Sequence, residues 1–122
     1  MRSIVLDHTI VPARDKERAA RFFARIFGLT YDGPSGPFAP VRVNDTLTFD
    51  FDDRWPSFEP HHYAFRVSGE EFDGIFARVR AEGIPYGSAP WSRTDGQLSV
   101  RGGFRQFYFD DPEGHVLEAF TA

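Results

Sequence analysis

Two hydrophobic periods take turns along this chain, and the first repeats every second residue. Ile4 to Val11 is strand-like. The second period follows at once: Ala19, Phe22, Phe23, Ile26 and Phe27 keep three-to-four spacing behind Asp15, which can cap a helix, and Gly28 stops it. Pro40 to Val43 and Leu47 to Asp52 predict a hairpin around Asn44-Asp45, with Leu47, Phe49 and Phe51 on one face and Thr48, Asp50 and Asp52 on the other. A further strand near Leu29 to Tyr31 would make this stretch βαβββ-like.

The same order then returns. His61 to Val67 is a second apolar strand, Ser68-Gly69-Glu70-Glu71 has the serine and glutamate of a capping box, and Phe72, Ile75, Phe76 and Val79 repeat the helical stripe. Equivalent positions keep a nearly constant offset, His8 to His62, Phe22 to Ile75, Ile26 to Val79 and Gly28 to Gly83, as duplication would leave it. We expect one domain over residues 1–122, with module one at about 4–53, a proline-bearing linker at about 54–60 and module two at about 61–122.

Composition narrows the function. A net charge of −4 with scattered arginines argues against nucleic acid, which selects clustered cations. No apolar run approaches the roughly 20 residues needed to cross a bilayer, and no signal-like segment opens the chain, so a soluble, cytoplasmic protein is expected. Without cysteine, any metal must be held by nitrogen and oxygen.

Strand alternation selects the candidate chemistry. Tyr63, Phe65 and Val67 should pack under the helix, which turns His62, Ala64 and Arg66 to the opposite face. Glu118 lies between Val116 and Phe120 on one face of the last strand, where a buried carboxylate must be paired, protonated or metal-bound. His8 sits likewise between Leu6 and Ile10. A single histidine in an apolar row is more often hydrogen-bonded in a core than a ligand. Its recurrence in both modules favours two imidazoles and one carboxylate converging on a divalent ion, with coordination positions left open for substrate.

These residues carry a resemblance. The paired modules, Leu6-Asp7-His8, the His61 to Val67 strand, and the closing run from Phe107 through Asp110-Asp111-Pro112-Glu113-Gly114-His115-Val116-Leu117-Glu118 resemble the vicinal oxygen chelate superfamily of glyoxalases, fosfomycin- and bleomycin-resistance proteins and extradiol dioxygenases. The resemblance implies an α+β fold of two tandem βαβββ modules forming a cupped mixed sheet with helices outside. It implies a metal (Fe2+, Mn2+, Zn2+ or Ni2+) at His8, His62 and Glu118, a small or aromatic oxygen-bearing substrate, and a homodimer. Glyoxalase or dioxygenase-type chemistry follows, with a lean to oxygenase; the alternative is a bleomycin-resistance-like protein that sequesters a drug or metabolite.

Further positions carry weaker expectations. Tyr108 alternates with Phe107 and Phe109, which aims its hydroxyl into the cup; the resemblance to fosfomycin-resistance proteins implies a catalytic or substrate contact for it, and that to glyoxalase I implies Asp50 as a fourth ligand. Arg66 could pair with an anionic substrate. Gly87 to Phe104 has no counterpart in module one and could form a lid whose Trp91 covers the ligand. Asp111-Pro112-Glu113-Gly114 has turn chemistry, and His115 should be a strand residue rather than a ligand.

Overall fold

Each helix begins where its cap is. Asp15 accepts the Arg18 N–H at 3.1 Å and opens α1 (Lys16–Phe27), which Gly28 ends at φ 71°, a left-handed conformation that glycine adopts without steric cost. Ser68 and Glu71 cap each other's backbone N–H groups and open α2 (Gly69–Ala81). In this computed structural model, which describes residues 3–121, the strands are β1 (His8–Pro12), β2 (Ala39–Arg42), β3 (Thr48–Asp52), β4 (His62–Arg66), β5 (Ser99–Arg101), β6 (Phe104–Asp110) and β7 (Val116–Phe120). They form two mixed sheets in an α+β fold, ordered β1-β3-β2 and β4-β7-β6-β5. The chain divides into two compact units, Met1–Glu59 and Pro60–Ala122.

In the first unit α1 packs on β2 and β3, with the Phe23 ring 5.1 Å from that of Phe49 and 5.9 Å from that of Phe51. β1 runs parallel to β3, and β2 antiparallel to it. The expected strand at Leu29 to Tyr31 is absent: Leu29 is tied back to Ala24 at the helix end, and Gly33 at φ 103° and Pro34, which has no N–H, interrupt any ladder beyond it. β1 starts only at His8, opposite Thr48, because its ladder neighbour starts there. Ile4, Val5 and Leu6 precede it as exposed apolar side chains.

The second unit keeps the full βαβββ order. Phe72 and Phe76 of α2 meet Phe107 of β6 edge-on at 5.3 and 5.2 Å, and Phe72 and Phe107 are fully buried, each such burial stabilising the fold by about 1.5–3 kcal/mol. β4 runs parallel to β7, whereas β6 and β5 run antiparallel to their neighbours. The turn between β6 and β7 closes with a Gly114 N–H bond to the Asp111 carbonyl, while the Asp111 side chain accepts from the Glu113 and His115 N–H groups. His115 is buried, with its Nδ1 accepting the His61 N–H at 2.9 Å, as suits a structural residue.

Candidate metal centre

With Phe107 and Phe109 turned into the core, alternation puts Tyr108 and Gln106 on the other face of β6. Glu118 shares that face from β7, directly opposite Tyr108, and His62 joins it from β4. His62 Nε2 lies 2.9 Å from Glu118 Oε1, the Gln106 amide donates to Glu118 Oε2, and the His62 ring meets Tyr108 edge-on at 6.0 Å. Glu118 is only 8% exposed, and His62 and Gln106 satisfy its two carboxyl oxygens there. Burial first, then the charge of Glu118 and a hydrogen bond to it, push the Tyr108 phenol above its ordinary pKa, and Arg101 opposes the shift. Tyr108 therefore stays protonated at neutral pH and able to donate.

The first unit holds a sparser group. His8, Thr48 and Arg42 lie in one row of the sheet, and Ile10, Asp50 and Pro40 in the next. His8 Nδ1 is 2.9 Å from Asp7 Oδ2, which raises the imidazole pKa and leaves Nε2 free of that contact. Asp50 feels His8 electrostatically, but burial outweighs it and raises the carboxyl pKa. Among the described residues, neither unit by itself gathers three His, Asp or Glu side chains around one point.

The remaining candidates stand apart from the pair. Arg66 is exposed at the end of β4, two residues beyond the partner of Glu118 and on the same face. Trp91 is 86% exposed on a loop that is held by Asp95, which accepts from Ser88, Ser92 and Gln97, and by the Arg93–Asp110 ion pair. Two residues beside the pair escaped the sequence reading: Gln106, which grips Glu118, and Arg101, which acts on Tyr108. Counting back by two from Tyr108 would have found Gln106.

Residues 5–119 match the model of the Glyoxalase/Bleomycin resistance protein/Dioxygenase superfamily. The chain belongs to that superfamily. Among solved structures it is similar to Oxidase ChaP-H2, with 42% identity over 99% of this chain and 95% of that one at a TM-score of 0.92. Oxidase ChaP-H1 is 41% identical over 98% of this chain and 97% of its own, also at 0.92. A curated relative, the glutathione transferase FosA of Serratia marcescens, is 25% identical over 93% of this chain and 77% of its own length.

A divalent ion of the kind used in this superfamily fits the His62–Glu118 pair. Two donors each about 2.0–2.2 Å from one ion lie about 3.0 Å apart at a right angle and about 3.4 Å apart at the tetrahedral angle, so the 2.9 Å between Nε2 and Oε1 suits neighbouring positions of an octahedral ion. The donors are an imidazole nitrogen and a carboxylate oxygen, suited to zinc, iron, manganese or nickel. Gln106 on the second carboxylate oxygen is the kind of outer partner that fixes a ligand's orientation. Among the described residues no helix is long and apolar enough to cross a membrane.

Proposed function

We propose that the protein is a divalent-metal-dependent enzyme that acts on a small or aromatic oxygen-bearing substrate, with His8, His62 and Glu118 as ligands and oxidase or oxygenase chemistry. The observation that carries this reading is the buried Glu118 held against His62 with the Tyr108 ring beside them. The likeness to two oxidases at 41–42% identity supports the oxidative choice over isomerisation. When bound, iron(II), manganese, zinc or nickel would supply Lewis acidity toward substrate oxygens, and iron(II) also oxygen activation.

The chain's own groups do the rest. Glu118 and His62 set where the reacting oxygens sit, and Gln106 keeps the carboxylate from rotating. The Tyr108 hydroxyl donates toward charge that develops on a substrate oxygen. Arg66 and Trp91 act as more distant substrate contacts. Homodimer formation belongs to the same reading, supported by the exposed apolar Ile4, Val5 and Leu6 leading into the edge strand β1.

Metal analysis of untagged protein purified without chelator tests the assignment. Stoichiometric metal in the wild type that is lost in His8→Ala, His62→Ala and Glu118→Gln is expected. Substoichiometric metal, equal in all four proteins, would instead leave a binding protein without a catalytic ion.

A further inference from the structure

Next to Glu118 the open face of the second sheet changes character. Across the strands, Ala64, Glu118 and Tyr108 form one row, and Arg66, Phe120, Gln106 and Ser99 form the next. Arg101 and Phe104 pair in the row beyond. Two residues along a strand advance about 6.6–6.8 Å, so these rows lie about 7 and 13 Å along the sheet from the row of Glu118. A cavity of about 330 Å³ opens there, lined among others by Arg101, Phe104, Gln106 and Phe120.

Charge and shape in that cavity select a ligand. The side chains of Arg66 and Arg101 form no hydrogen bond or ion pair among the described residues, where only their backbones pair in the ladder. Arg105, by contrast, is tied to Asp73 and the Gly69 carbonyl and lies over the Phe72 ring. Phe104 is more than half exposed, and with Phe120 it offers two aromatic faces to whatever enters. Gln106 links the two regions, because its side chain both lines the cavity and donates to Glu118.

We propose that this cavity takes the far end of an elongated, flat aromatic acid, at least two fused rings long. Its ionised group pairs with Arg101, its rings lie against Phe104 and Phe120, and an oxygen at its near end reaches the His62–Glu118 pair. Arg66 flanks the same row from the opposite side and adds to the positive field. The last contact rests on the proposed metal-centred function; the anion pocket does not.

The test uses the purified full-length protein under nitrogen and two probes, 6,7-dihydroxy-2-naphthoate and its neutral methyl ester, with binding measured by calorimetry. The acid should bind the wild type about tenfold more tightly than the ester. Arg101→Gln should bring that ratio close to one while leaving the affinity for the ester unchanged. His62→Ala should weaken acid and ester by the same factor and keep the ratio. A ratio near one in the wild type, a ratio unmoved by Arg101→Gln, or no binding of either compound at millimolar concentration would overturn the proposal. If His62→Ala leaves both affinities unchanged while the ratio persists, the anion pocket stands and the metal-centred function falls.

Discussion

His62 and Glu118 meet on a diagonal. His62 pairs in register with Val116, and Glu118 with Ala64, yet the two side chains close to 2.9 Å across the parallel strands β4 and β7. Gln106 makes the mirror diagonal from β6, since its own partner is Phe120. The carboxylate is thus gripped from both neighbouring strands, and its position is set by sheet register rather than by a loop.

Gln106→Ala should therefore cost more than a surface change. It removes the donor to one oxygen of a largely buried carboxylate, a loss of about 1–2 kcal/mol in metal-free protein. Urea denaturation of the two proteins without metal measures it. A difference below about 0.3 kcal/mol would show that water replaces the amide freely.

Ser68→Ala tests whether the second helix depends on its cap. Ser68 Oγ accepts the Glu71 N–H at 3.1 Å and Glu71 returns the bond to the Ser68 N–H at 2.8 Å. Losing one half should destabilise by about 1 kcal/mol, and losing both by less than the sum of the single changes because the two bonds share one geometry. Midpoints in urea at unchanged slope give the numbers. Strict additivity would mean that the two bonds act independently.

Much of this fold was legible from spacing alone, and the reason is local. Asp15, Gly28, the Ser68–Glu71 box and the alternation of Phe107, Tyr108 and Phe109 act through bonds within a few residues, so periodicity reveals them. It also revealed the burial of Glu118 between Val116 and Phe120. The strand expected at Leu29 to Tyr31 rests on the βαβββ order alone, and it is absent because Leu29 is tied back to Ala24 and Gly33 turns the chain away. Gln106 and Arg101 escaped for another reason: a polar residue on a strand looks solvated until the neighbour across the sheet is known. Alternation assigns a side chain to a face, whereas register decides which side chain it meets there.

The loop around Trp91 should loosen in acid. Hydrogen bonds from the Ser88 hydroxyl first, and from the Gln97 N–H and Ser92, hold the Asp95 carboxyl below its ordinary range. A carboxylate whose pKa is lower in the folded state contributes stability above the unfolded value of about 3.9. That contribution is lost as pH falls through the lower folded value. Amide resonances of Ser88 and Gln97 should move together with a midpoint below about 3.9, and Asp95→Asn should abolish the transition. A midpoint at or above that value would mean that these bonds do not favour the charged form.

Gly87→Ala carries the strain from this loop to the candidate metal centre. Gly87 exchanges both backbone hydrogen bonds with Tyr108, each at 2.9 Å, so it fixes the strand on which the phenol stands. A Cβ there would fall 1.9 Å from the Ser92 carbonyl oxygen and 2.6 Å from the Arg93 backbone carbons. Backbone atoms cannot swing aside as a side-chain tip would, and Asp95 and the Arg93–Asp110 pair hold the loop from both ends. Either the loop shifts or the bridge to Tyr108 breaks, at a cost of about 1–3 kcal/mol. Urea denaturation reads the cost, and the Tyr108 ring resonances in the metal-free protein report whether the bridge gives way. A variant within about 0.5 kcal/mol of wild type with unmoved Tyr108 signals would show that the loop yields freely and is uncoupled from the Tyr108–Glu118 row.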